Sequence, residues 1–174
     1  MRLYLIGYMF SGKSTIGMHL ANRMGYDFVD LDDIIEERYH SSVSDLFKRY
    51  GETAFRKLET SALTSTGMMN DAVIACGGGT PCYNDNMQFI LQHGYCVYLK
   101  LRVDDVMQRY ERSHRKHQRP LLHDLSPEEM RQYIETQLAV REKYYSQASL
   151  IIDAFHAPLQ IVNGIVAWAS GHKE

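Results

Sequence analysis

A junction between a strand and a helix near the start of the chain leaves few folds open. Gly7-Tyr8-Met9-Phe10-Ser11-Gly12-Lys13-Ser14-Thr15 fits G-x-x-x-x-G-K-[ST], the pattern of a phosphate-binding loop. The run Arg2-Leu3-Tyr4-Leu5-Ile6 before it reads as a short buried strand. The stretch from Thr15 to Met24 reads as a helix with Ile16, Leu20 and Met24 on one side. Glycines at such a junction let the backbone curl until successive N–H groups face phosphate oxygens. The helix N-terminus adds free donors and partial positive charge. In that chemistry Lys13 neutralises the β- and γ-phosphates of a nucleotide, and the Ser14 hydroxyl ligates Mg2+. The competing reading is a glycine-rich turn that merely packs closely; the flanking strand and helix favour phosphate binding.

Four more strand-like runs follow, Asp27–Val29, Ala72–Cys76, Tyr95–Leu99 and Leu150–Ile152, with helical patterns between them. Strict alternation predicts an α/β fold, a parallel sheet with helices on both faces. Ligands of such sheets bind beyond the carboxyl ends of the strands, the edge at which every motif below falls. The 174 residues fit a single domain spanning 1–174. A net charge of -2 argues against general affinity for nucleic acid or acidic membranes. No apolar run approaches the ~18 residues of a membrane-spanning helix, and the first run stops at Gly7, too short for a signal peptide. Cys76, Cys82 and Cys96 are odd in number and lack metal-site spacing, so they read as reduced thiols of a cytoplasmic protein. A monomer is expected.

After the second strand, Asp30 and Asp32 bracket the entry to a helix. Two carboxylates at the sheet edge suit a metal and a substrate hydroxyl; helix capping accounts for the same residues. Beside a phosphate loop, function is favoured for both, whereas Asp33 reads as a surface charge. Ser42 and Gly51-Glu52 mark two helix starts. Arg56 and Glu59 share a helix face, for which an exposed ion pair is the simplest account, and Phe55 and Leu58 point to the core. Gly77-Gly78-Gly79 follows the third strand directly and leaves bare backbone at the same edge. Glu111–Leu122 is strongly basic. It suits a solvated loop, a nucleic-acid patch or, better in a phosphoryl-transfer enzyme, a mobile lid over 112–123 carrying Arg119. Ser126 caps a long helix, Pro127–Tyr145, with Met130, Ile134, Leu138 and Tyr145 as its core side. By periodicity alone Arg141 on that helix is a surface charge. The last helix, Pro158–Ala169, reads as structural, with Trp168 as packing.

Taken together and in this order, the motifs resemble the shikimate kinase family. The resemblance runs from Leu3 to about Asp153 and rests on GxxxxGKST, Phe28–Asp32, Ile35-Glu36-Glu37-Arg38, Gly51-Glu52 with Phe55-Arg56 and Glu59, Gly77–Gly79, Arg119-Pro120-Leu121-Leu122, and Arg141 before Tyr144-Tyr145. It implies a five-stranded parallel sheet of the P-loop, nucleoside monophosphate kinase type, and transfer of the ATP γ-phosphoryl group to the 3-hydroxyl of shikimate on the route to chorismate. It implies nucleotide contacts from Gly7, Gly12, Lys13, Ser14, Thr15, Arg109 (adenine stacking) and Arg119, with Ser14 and Asp30 holding Mg2+. It also implies Asp32 as the shikimate-binding base, Arg56 and Arg141 on the substrate carboxylate, and Gly78 and Gly79 as loop contacts. Lys13, Asp32 and Arg119 are the implied catalytic set. Three places depart from the family pattern: Phe10 stands where glycine is common, Tyr39-His40 replaces a commoner Thr-Gly, and the lid carries His114 and His117. The rival readings are a gluconate-type kinase, a catalytically silent ATP-binding module and a nucleic-acid binder acting through Arg112–Arg119.

Overall fold

The computed structural model describes residues 1–113 and 125–172. Its elements in chain order are β1 (Arg2–Ile6), α1 (Lys13–Met24), β2 (Asp27–Asp30), α2 (Leu31–Tyr39), α3 (Val43–Ser65), β3 (Ala72–Ala75), α4 (Asn86–His93), β4 (Tyr95–Lys100), α5 (Val103–Arg112), α6 (Pro127–Tyr145), β5 (Leu150–Asp153) and α7 (Pro158–Ser170). Single 3-10 turns precede β3 and α4. The five strands form one sheet in the order β2-β3-β1-β4-β5, and every pairing is parallel. The strand carrying the phosphate loop is therefore central. The strand carrying the three glycines lies next to it, and the one carrying Asp30 next again. Asp30 and Leu5 both pair with Ala75, which brings the three carboxyl ends level.

Alternation along the strands builds a core on each face. Leu3, Leu5, Val73, Val97 and Leu99 pack with residues of α1, α5, α6 and α7. Tyr4, Ile6, Ile74, Cys96 and Tyr98 pack with residues of α2, α3 and α4. Strands β1 and β3 are almost wholly buried, as expected for parallel strands covered on both sides. At about 1.5 Å per residue, α6 is roughly 29 Å long. It contributes Met130 and Ile134 to the first core and Tyr145 to the second. Its start follows its sequence: Ser126 Oγ accepts from the Glu129 N–H, Glu129 returns the bond, and Pro127 takes the first position.

The segment Val43–Ser65 is two helices that meet at Gly51, with φ 78° and ψ 172°, so the start signals at Ser42 and Gly51 are both real. Tyr39 ends α2 and His40 takes a left-handed conformation (φ 50°). The helix α4 had no start signal to read: its capping residue, Asp85, makes no side-chain cap bond. All three cysteines are free, with Cys76 and Cys96 buried. Among the described residues no helix is long and apolar enough to cross a membrane.

Candidate active site

The phosphate loop is drawn tight by the bond from the Ser11 N–H to the Tyr8 carbonyl, 3.2 Å. Gly12, at φ 88°, enters α1 in the left-handed region that a side chain resists. Lys13 stands in the first turn of α1 and folds back across the loop. Its Nζ donates to the carbonyls of Gly7 (2.9 Å) and Tyr8 (3.0 Å) and to Ser11 Oγ (3.4 Å). Phe10 also has a left-handed backbone (φ 64°), and its ring meets Tyr110 edge to face, with centroids 6.0 Å apart. The bulky residue thus serves the core. Arg109 braces this corner from behind: Nη1 donates to the Phe10 carbonyl at 2.7 Å and Nη2 to the Ala154 carbonyl. Burial lowers its pKa, against the pull of Asp105 and Asp153.

Asp30 caps the following helix and also bonds the phosphate loop. One carboxylate oxygen accepts from the Asp32 N–H at 3.1 Å and caps α2. The other accepts from Ser14 Oγ at 2.6 Å. The helix begins at Leu31, with Asp32 inside its first turn. Asp33 beside it has a raised pKa, through desolvation first and then the charges of Asp30 and Glu36. Among the described residues no group of three or more His, Cys, Asp or Glu is placed to hold a metal. One hydroxyl and one carboxylate remain, a donor set that suits Mg2+, which keeps several waters and leans on substrate phosphates.

The glycines after β3 bring the rest together. A Cβ built on Gly77 would lie against Glu59 Oε1 and 3.7 Å from Asp32 Oδ1. On Gly78 it would stand 3.2 Å from Arg141 Nη1, 3.5 Å from the Gly7 carbonyl and 3.8 Å from the Met9 nitrogen. On Gly79 it would stand 2.6 to 2.8 Å from three atoms of the Arg56 guanidinium. Asp32, Arg56, Arg141 and the phosphate loop therefore surround one short piece of bare backbone. The expectation of an exposed Arg56–Glu59 pair is wrong. Arg56 Nη1 donates to Glu59 Oε2 at 2.6 Å with only 2% of the Glu59 side chain accessible. Spacing along a helix says nothing about depth; Gly77 and Thr80, whose hydroxyl donates to Glu59 Oε1 at 2.6 Å, cover it from another element. Burial pulls the Arg56 pKa down, but Glu59 and Glu52 more than reverse that, so the group is cationic at any working pH.

Arg141, too, is not the surface charge that periodicity implies. It is half-buried, its guanidinium lies 5.1 Å from the centre of the Tyr8 ring, and Nη2 donates to Gln137 Oε1 at 3.0 Å. Burial lowers its pKa, and Tyr145 foremost among its neighbours raises it further than that. The Tyr145 hydroxyl also donates to the Gly78 carbonyl and so ties α6 to the glycine loop. Arg119 and the lid beyond Ser113 lie outside the described residues. Missed from the sequence were Glu59 as a buried anchor and Tyr8, Tyr83 and Tyr145 as partners of the two arginines. No spacing rule links residues that meet only through the tertiary fold.

A central phosphate loop on a parallel sheet, with an acidic cap bonded to the loop serine, defines a P-loop kinase of the nucleoside monophosphate kinase type. Residues 9–170 match the family described as shikimate kinase. A shikimate kinase of Parabacteroides distasonis is 44% identical over 153 residues, 88% of this chain and 87% of that one. The crystal structure of shikimate kinase from Bacteroides thetaiotaomicron superposes with a TM-score of 0.91 at 34% identity, covering 97% of this chain and 98% of the other. Shikimate kinase from Acinetobacter baumannii, solved in complex with shikimate, superposes with a TM-score of 0.88 at 30% identity, covering 99% of this chain and 94% of the other. The chain belongs to the shikimate kinase family and is an ATP-dependent kinase.

Proposed function

We propose that this protein phosphorylates the 3-hydroxyl of shikimate with ATP, giving shikimate 3-phosphate and ADP in the synthesis of chorismate. The observation that carries the reading is the convergence of Asp32, Arg56 and Arg141 on Gly77–Gly79, with Gly78 beside the phosphate loop. Shikimate is a small anionic polyol. Two guanidinium groups suit its carboxylate, because each donates parallel N–H bonds. Phosphoryl transfer needs position and charge neutralisation more than covalent chemistry. Gly7, Gly12 and Thr15 line the loop that takes the phosphates, and Lys13 turns its ammonium from the loop carbonyls toward them. Asp32 orients the acceptor hydroxyl and takes its proton late in transfer. An unperturbed aspartate has a pKa of about 3.9, so orientation is its larger part. Arg109, held beside the loop by the Phe10 carbonyl, is assigned to the adenine ring. Arg119 is assigned to the lid, closing on the phosphates.

Ser14 and Asp30 would hold Mg2+, which when bound neutralises developing charge between the phosphates. A monomer is the assembly assigned. The three free thiols support a cytoplasmic setting.

The test is ATP turnover by the purified protein with Mg2+, with and without shikimate, followed by coupled ADP release and mass detection of the product. Gluconate serves as the competing acceptor. Shikimate-dependent ADP release is expected. Nucleotide binding without turnover would instead indicate a silent module, and faster turnover of gluconate a different sugar-acid kinase.

A further inference from the structure

Tyr83 follows the 3-10 turn Thr80–Cys82 that closes the glycine loop. Its ring centre lies 4.3 Å from Arg56 Cζ, nearer than that of Phe55 at 5.7 Å. Its hydroxyl donates to Glu52 Oε1 at 3.0 Å. The same oxygen accepts from Arg56 Nε at 3.3 Å and Nη2 at 3.1 Å. The three residues therefore form a closed cycle, Tyr83 to Glu52 to Arg56 and back through the ring face. A guanidinium has five N–H groups in one plane. Among the described residues, Glu52 takes two and Glu59 one, which leaves one N–H on each terminal nitrogen. An acid bound end-on by Arg56 must use that pair, so the tilt of the plane decides whether both bonds form.

Glu52 alone cannot fix the tilt. Its side chain is 51% exposed, and an exposed i,i+4 pair gains little. The ring that covers the guanidinium and the hydroxyl that anchors Glu52 supply the missing constraint, and both belong to Tyr83.

We propose that Tyr83 is a positioning residue for the acceptor, holding the Arg56 plane so that its two remaining N–H groups meet the substrate carboxylate. The inference rests on the shikimate kinase reading above. Three forms of the full chain test it: wild type, Tyr83→Leu and Tyr83→Phe. KM for shikimate is measured at saturating ATP, and KM for ATP at saturating shikimate. Tyr83→Leu removes ring and hydroxyl and is expected to raise the shikimate KM about three- to tenfold, with the ATP KM within about twofold. Tyr83→Phe restores the ring and is expected to recover most of the loss. Shikimate methyl ester, which has no carboxylate charge, provides a readout that general damage would not move: the ratio of KM values for Tyr83→Leu and wild type is expected to fall to about one. An unchanged shikimate KM in Tyr83→Leu, an equal rise in both KM values, or the same ratio with acid and ester would overturn the proposal while leaving the functional reading intact. A wild-type protein that ignores shikimate would overturn both, and is seen before any variant is made.

Discussion

Replacing Gly79 by alanine separates close approach from backbone strain. Gly79 has φ -91° and ψ -17°, angles that alanine adopts freely. The new methyl, however, would stand 2.6 Å from Arg56 Nη1, 2.7 Å from Nη2 and 2.8 Å from Cζ. Ordinary carbon contacts need about 3.5 Å, so the guanidinium must recede by roughly 0.7 to 0.9 Å. It has nowhere to go without loss. Glu59 holds Nη1 at 2.6 Å, Glu52 holds Nη2 at 3.1 Å, and the Tyr83 ring lies 4.3 Å from Cζ. Overpacking of this kind costs about 1–3 kcal/mol, and a misaligned hydrogen bond to a charged group about 1.5–3 kcal/mol. At about 1.4 kcal/mol per factor of ten, the shikimate KM of Gly79→Ala should rise roughly ten- to a hundredfold. The ATP KM should stay within about twofold. Thermal stability should fall as well, because the narrowing of the unfolded ensemble by alanine, about 0.4–1 kcal/mol, offsets only part of the overpacking. Steady-state kinetics with each substrate varied in turn, together with a melting curve, give all three numbers. A shikimate KM within twofold of wild type would refute the claim that bare backbone at Gly79 exists to admit Arg56.

Arg141→Ala should weaken shikimate binding far more than ATP binding by the same assay; equal losses would contradict a carboxylate role. Lys13→Ala should lower kcat about a hundredfold or more with little change in melting temperature, and near-normal turnover would remove Lys13 from phosphate stabilisation. Desolvation raises the Cys82 pKa to about 11, against the lowering influence of Arg141 and Arg56. The thiol is therefore protonated at neutral pH, and its alkylation rate should climb about tenfold per pH unit above pH 7. Labelling followed by mass spectrometry checks this; fast modification at pH 7 that levels off by pH 8 would show an activated thiolate instead.

Much of the scaffold was readable because its signals are local. Each strand is a short apolar run bounded by glycine or charge, and the observed ends differ from the expected ones by a residue at most. The long helix Pro127–Tyr145 announces itself through Ser126, Pro127 and Glu129. The phosphate loop is a contiguous pattern. The surroundings of Gly77–Gly79 were not readable in the same way. Glu59 is buried by a turn that arrives from β3, Tyr83 reaches Arg56 from that same turn, and Tyr8 of the phosphate loop underlies Arg141 of α6. Arg109 was expected as a stacking group; in the structure its guanidinium is a brace between two carbonyls distant in sequence. Such contacts follow from topology, and pairwise spacing along the chain does not encode them.

The passage of α6 from one core to the other fixes more than its place. Met130 and Ile134 seat one end and Tyr145 the other, so the helix is held like a shaft between two bearings and its rotational phase is locked. One residue inserted between Ile134 and Arg141 would turn everything downstream by about 100° relative to the upstream seat. Either Tyr145 and Arg141 would leave their places together, or Met130 and Ile134 would leave theirs. Length variation in this kinase should therefore concentrate outside that interval, where an extra residue does not alter the phase.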